Sequence, residues 1–181
     1  GNGNSKNNIV VAGTVQVLNY TGPNSVVIYF NSSWGPTDDG RVKPDIAAKA
    51  MNTFSSTTAS NSSYASFTGT SMASPSIAGA CILLQQHAND VNGDFLRSAS
   101  IRGLLIHTAD EAGLHPGPDY RFGWGLANAE RSAEVISDNG NGHHLLELKM
   151  DEGGFFQFVG TAIPGERVVA TICWTDKEGS V

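Results

Sequence analysis

Cysteine is almost missing from this chain: Cys81 and Cys173 are the two in 181 residues. Such a pair fits neither a disulfide framework nor a metal-ligand spacing. Cys81 falls inside an apolar helical pattern and Cys173 inside an apolar strand-like one, so both read as buried free thiols. Basic residues are also few, 11 Lys and Arg against 17 Asp and Glu, for a net charge of −6. That balance argues against a nucleic-acid partner, because phosphate contacts need clustered cations. No run approaches the roughly 20 apolar residues of a membrane span, so no membrane span is expected. The first residue is not methionine, and the opening residues do not read as a leader peptide. Gly1-Asn2-Gly3-Asn4-Ser5 reads as the tail of an interrupted loop.

What is present suits a packed fold with many tight turns: 40% hydrophobic residues, 21 glycines, and abundant Ser, Thr and Asn. The length allows one sizeable domain, or one and part of a second. Residues 9–15 and 26–30 are short apolar runs that predict strands, the first buried on both faces. Residues 32–40 are dense in turn formers, and Lys43-Pro44-Asp45-Ile46-Ala47-Ala48 returns the chain toward the core. Residues 55–63 predict a surface loop. Helices are predicted over 71–86, 96–108 and 127–136, with a glycine- and proline-rich loop over 110–125. Residues 137–142 read as a linker. Beyond it the period changes to two: Leu146, Leu148 and Met150 alternate with Glu147, Lys149 and Asp151. Residues 155–159 and 168–174 predict further strands.

Gly69-Thr70-Ser71-Met72-Ala73-Ser74-Pro75 carries the most chemistry. It sets a serine after a Gly-Thr turn and before a helix of small and apolar residues. The first four N–H groups of a helix have no internal partner, and the dipole favours negative charge there. These suit a nucleophile whose attack creates an oxyanion. Pro75 falls where a missing N–H does least harm. Taken alone, a serine at a helix start is most often an N-cap.

That segment, with Ile77-Ala78-Gly79, is very similar to the nucleophile segment of the subtilase family of serine proteases. Trp34-Gly35-Pro36 and Asp39-Gly40-Arg41-Val42-Lys43-Pro44-Asp45 resemble the region upstream of that nucleophile. Gly123-Trp124-Gly125 with Asn128-Ala129 resembles the turn and final helix of the catalytic domain. Residues 145–181 resemble the opening strands of a following β-sandwich. The resemblance implies an α/β fold: the C-terminal half of a subtilisin-like three-layer parallel-sheet domain, followed by an incomplete β-sandwich. It divides the chain into 1–137, the nucleophile-bearing portion of the catalytic domain; 138–144, a linker; and 145–181, the start of the sandwich. It implies a secreted or cell-surface endopeptidase acting on protein or peptide substrates through an acyl-enzyme on Ser71. It implies no cofactor for the chemistry, with structural calcium as an option.

The chain departs from the family pattern at Ala48-Lys49-Ala50 and at Ser76. Neither position carries proton-transfer chemistry. The family's triad runs in the order Asp, His, Ser, so its Asp and His are expected upstream of residue 1. The five histidines offer no substitute. His87 stands 16 residues beyond Ser71 on one predicted helix, about 24 Å away at 1.5 Å per residue. His107 reads as a packed helix residue, His115 as a loop residue, and His143-His144 as linker residues with at most a weak metal site. Asp38-Asp39-Gly40 reads as a surface turn rather than the triad acid. Asn2 reads either as the side-chain oxyanion donor or as plain loop. Asp110, Glu111 and Asp119 read either as calcium ligands or as a solvated acidic loop.

The chain alone is therefore expected to be inactive as a peptidase. One alternative is a pseudoprotease that binds peptides or partners without cutting. Another is that residues 138–181 belong to an adhesion or carbohydrate-binding module. A parallel sheet without its first strands would expose apolar edges, so self-association through surface exposed by truncation is also expected.

Overall fold

Two parallel strands and one long helix organise the protein, whose computed structural model describes residues 3–177. Strand β1 (Val11–Thr14) pairs in parallel with β2 (Ile46–Lys49), in the register Val11 to Ile46 through Thr14 to Lys49. Both are small-residue apolar runs, and β2 is buried through Ala48. This is the pattern of strands covered on both faces. Leu126 extends the sheet by a single parallel bridge to Ala47. Two further strands, β3 (Thr53–Ser56) and β4 (Tyr64–Phe67), form a separate antiparallel hairpin.

Helix α1 (Thr70–Asn92) packs across β1 and β2 and against α3 (Ala129–Ser137); α2 (Ser98–Thr108) packs on α3. Ala73, Ile77, Leu84 and Ala88 recur at helical spacing and form the buried face of α1. They meet Ile46, Ala48 and Ala50 on the sheet side, and Ile101, Leu104, Leu105, Val135 and Ile136 on the helix side. The helix runs six residues past its predicted end. Residues 87–92 hold Ala88 in the core, and the helix stops at Gly93, whose N–H donates to the Asn89 carbonyl at 2.8 Å. Asn128 caps α3, its Oδ1 accepting from the Arg131 N–H at 3.0 Å.

Three sequence expectations change. The run over 26–30 makes one bridge, Thr14 to Ile28, instead of a strand. Turns bend it at both ends, Val26 N to Pro23 O and Ser32 N to Tyr29 O. The Gly13 N–H is taken by the Ser32 hydroxyl at 3.0 Å rather than by a ladder carbonyl. The predicted loop over 55–63 is narrower than expected, because its flanks pair as β3 and β4. Thr57 and Ser63 close the tip, backbone to backbone at 3.0 Å and hydroxyl to hydroxyl at 2.8 Å.

The alternating segments over 145–177 form no strand. Leu146, Leu148 and Met150 stay exposed. Alternation gives 146–151 an apolar face, and 155–159 and 168–174 are apolar runs, but a strand also needs a ladder partner in register. These segments are held by side chains instead. Glu147 accepts from the Arg97 N–H at 2.7 Å, and Thr171 hydrogen-bonds His107 at 2.9 Å. Arg102 donates to the Trp174 carbonyl at 2.6 Å and faces Cys173 Sγ at 3.0 Å. Cys81 and Cys173 are free and partly exposed rather than fully buried, and burial pushes the Cys81 thiol pKa up.

Candidate active site

Ser71 is the second residue of α1, exposed to solvent at the end of a strand–turn–helix unit. Gly69 makes the turn with φ 156° and ψ 162°. Its N–H donates to the Ala50 carbonyl at 2.9 Å, and its own carbonyl accepts from the Met72 N–H at 2.9 Å. The Asn52 N–H donates to the Thr68 hydroxyl at 3.0 Å. The turn is therefore held to the chain just past β2. Ala50 is in turn bound through its N–H to the Thr14 carbonyl at 2.8 Å, at the end of β1. The Ser71 N–H lies in the first turn, where helix geometry supplies no acceptor. Pro75 has no N–H to offer the Ser71 carbonyl. The Ser76 hydroxyl donates to the Met72 carbonyl at 2.9 Å.

Gly13 lets the helix start sit this close to the sheet. A Cβ there would lie 2.6 Å from the Ala50 Cβ and 3.2 Å from the Thr70 methyl. Gly13→Ala is expected to push α1 off β1 and cost about 1–3 kcal/mol, the usual penalty of overpacking. A fall in the urea midpoint at constant slope would show it.

The histidines are not brought to Ser71. His87 shares the continuous helix α1 with it, so about 24 Å separates them at 1.5 Å per residue. His87 is hydrogen-bonded to the Ser137 hydroxyl at 2.8 Å. His107 is bonded to Thr171, and burial, with His143 and Arg131 adding, pushes its pKa down. His115 is an exposed loop residue. His144 packs on Phe158 with ring centroids 4.9 Å apart, and neighbouring His143 is exposed. Among the described residues, no imidazole hydrogen-bonds the Ser71 hydroxyl. Asn2 lies outside the described residues.

The acidic candidates each have a partner of their own. Asp39 accepts from the Thr37 hydroxyl and from Arg41 Nε at 2.8 and 3.0 Å, in an exposed turn. The Arg41 guanidinium, followed by the Thr37 hydroxyl, lowers its carboxyl pKa to about 2. The contact is therefore complete above the usual carboxylate range and lost as pH falls through about 2. A carboxyl NMR titration should give a midpoint near 2 for Asp39, and Arg41→Ala should return it toward 3.8.

Asp110 takes Asn128 Nδ2 and Arg131 Nη1, both at 3.0 Å. Glu111 takes the Ala112 and Gly117 N–H groups at 3.2 and 2.9 Å, and Asp119 those of Arg121 and Phe122 at 2.7 Å. Both oxygens of Asp110 and of Glu111, and Oδ1 of Asp119, accept from protein donors. Among the described residues no group of three His, Cys, Asp or Glu is placed to hold a metal. This arrangement does not fit a calcium site built from Asp110, Glu111 and Asp119.

Two features escaped sequence reasoning. The first is a buried ion pair: Lys43 Nζ donates to Asp45 Oδ2 at 2.6 Å and to the Asn8 carbonyl at 3.3 Å. The same Asp45 oxygen accepts from the Val10 N–H at 2.7 Å, and the Asp45 carbonyl accepts from the Trp124 N–H at 2.9 Å. This pair ties the start of β1, the start of β2 and the Gly123-Trp124-Gly125 turn together. The alternating polarity of Lys43-Pro44-Asp45-Ile46 before an apolar run was its signal. The second is that no Asp, Glu, Lys or Arg occurs from Ala50 to Asn89, so the β3–β4 hairpin and the first five turns of α1 carry none of these charged residues. That signal lay in the composition of one segment rather than of the chain.

Comparison with known proteins points the same way as this strand–turn–helix geometry. The model of the subtilase family (peptidase S8) matches residues 2–125. The C5a peptidase of Streptococcus pyogenes is 45% identical over 83 residues, 46% of this chain and 7% of the relative. The PII-type proteinase of Lactococcus lactis subsp. cremoris is 45% identical over 140 residues, 65% of this chain and 7% of the relative. The chain thus spans about 7% of the length of these relatives. The solved CspB protease of Clostridium perfringens superposes with a TM-score of 0.59 at 26% identity, covering 72% of this chain and 27% of that one. The self-cleaved protease domain of PatA gives 0.56 at 18% identity over 72% of this chain and 42% of its own, a likeness of fold alone. With the family match spanning the sheet, the hairpin, Ser71 and the closing Gly-Trp-Gly turn, this chain belongs to the subtilase family.

Proposed function

We propose that the whole protein containing this chain is a serine endopeptidase and that Ser71 is its nucleophile. The observation that carries the reading is the exposed Ser71 hydroxyl in the first turn of a 23-residue helix, held at the sheet's end by Gly69 and Gly13. Ser71 Oγ attacks the scissile carbonyl. An imidazole supplied from outside residues 1–181 takes its proton and gives it to the departing amine as the C–N bond breaks, leaving the acyl group on Ser71, and a carboxylate orients that imidazole. The Ser71 N–H and an amide side chain hold the oxyanion, and an Asn2-type residue suits that second place. Water then releases the acyl group, with no cofactor needed. By itself the 181-residue chain has the nucleophile without its base and is expected not to hydrolyse peptides.

We assign residues 1–137 to the catalytic unit, 138–144 to a linker and 145–181 to a following domain. We place the whole protein outside the cell or on its surface, acting on protein or peptide. Among the described residues no helix is long and apolar enough to cross a membrane. The isolated chain, with Phe155, Val159 and Ile172 exposed, is expected to self-associate in sedimentation.

A fluorophosphonate probe tests the assignment. Rapid stoichiometric labelling of Ser71 in the whole protein, with none in the 181-residue chain, is the expected result. Failure to label the whole protein would favour the pseudoprotease reading, for which the supporting observation is that, among the described residues, His87 and His107 hydrogen-bond Ser137 and Thr171 and no imidazole hydrogen-bonds Ser71.

A further inference from the structure

The β3–β4 hairpin carries an aromatic pair with no partner. Phe54 and Tyr64 stack face to face, ring centroids 5.4 Å apart and planes 18° apart. They are 68% and 61% exposed. Phe54 pairs with Ser66 and Tyr64 with Ser56, so the rings are diagonal neighbours on one face of the ribbon. The mouth of the ribbon is pinned beside the nucleophile's turn, through Asn52 N to Thr68 Oγ1 and Gly69 N to Ala50 O. Phe54 is two residues up from that mouth and Tyr64 four, which at about 3.4 Å per residue puts the rings about 7–14 Å along. An extended polypeptide crossing Ser71 covers that span in about two to four residues.

We propose that the Phe54–Tyr64 pair is a selectivity platform for an uncharged, apolar segment of the polypeptide substrate, two to four residues from the bond that is cut. The proposal rests on the nucleophile reading of Ser71. The charge character of the surface decides the occupant. From Ala50 to Asn89 there is no Asp, Glu, Lys or Arg, so a charged substrate side chain laid on the rings would shed water without gaining a counter-ion. An aromatic or aliphatic side chain would bury apolar area against both rings.

The test uses the whole protein and paired peptides that differ only two to four residues from the cleaved bond, on either side. One peptide carries Phe or Leu there, its partners Asp or Lys. The native protein should prefer the apolar peptide by about tenfold or more in kcat/KM. Phe54→Ser with Tyr64→Ser should bring the ratio to near parity. Phe54→Lys should raise the rate on the Asp peptide and lower it on the Lys peptide, a gain that misfolding cannot produce. No preference in the native protein, or an unchanged ratio in both variants, overturns the platform. So does a change in sedimentation with the ratio intact, which would make the patch an interface between copies. Cleavage that persists in Ser71→Ala would instead overturn the nucleophile reading itself.

Discussion

Ser71→Ala in the whole protein is expected to lower kcat for peptide hydrolysis by about a million-fold, the scale of losing the nucleophile from a triad that acts as a unit. kcat and kcat/KM should fall together, because the Ser71 oxygen forms its bond in the transition state and adds little to ground-state binding. The substitution leaves the fold intact. Ser71 is exposed, and the turn is held by the Gly69, Ala50 and Thr68 backbone and hydroxyl contacts rather than by the Ser71 side chain. Ser76→Ala is the matched control. Its hydroxyl only returns to the Met72 carbonyl one turn back, so activity should stay near the native value. Steady-state kinetics on one peptide, with unfolding midpoints for both variants, separates chemistry from stability. Equal losses in the two variants would remove Ser71 from the mechanism.

Lys43→Met is expected to be the most damaging change away from Ser71. The Lys43 and Asp45 side chains are 8% and 12% exposed and meet at 2.6 Å. Removing the ammonium leaves a carboxylate that keeps the Val10 N–H but has lost its counter-ion in a site closed to water. Breaking a buried pair from one side costs about 3–5 kcal/mol. For a protein of this size that is a fall of about 6–20 °C in melting temperature, at about 2–4 °C per kcal/mol. Replacing both partners, Lys43→Met with Asp45→Leu, should recover much of the loss, since a buried pair exchanged for apolar side chains is often near neutral. Recovery stays incomplete, because the Val10 N–H would then lack its acceptor. A single variant with native stability would show that water reaches Asp45. The pair joins the starts of β1 and β2, at the opposite end of these strands from the Thr14, Ala50 and Gly69 contacts that position Ser71, so its loss should show in stability before it shows in kcat.

The local elements were legible where one segment carried its own instruction. Gly69 through Pro75 specify a turn and a helix start by residue type alone. The spacing of Ala73, Ile77, Leu84 and Ala88 fixes which face of α1 goes inward. The pattern over 127–136 predicts the third helix, and α3 starts two residues later because Asn128 caps it. Elements that need a distant partner were not legible. The run over 26–30 looks like β1 in composition, but Ser32 takes the donor a ladder would have used. Ser55 and Ser56 look like loop and belong to a strand, because Tyr64–Phe67 lies opposite β3. Residues 146–151 alternate correctly for a strand and form none.

The sequence by itself determined that a serine would stand free at the head of a helix, and that the surface beside it would carry no charge. Both depend only on neighbours along the chain. Tertiary structure alone decided that Lys43 and Asp45 would be buried as a pair, that Phe54 would stack on Tyr64, and that His107 would bond Thr171. Those outcomes depend on which segments lie against one another and which surfaces exclude water together, not on any residue's own preference.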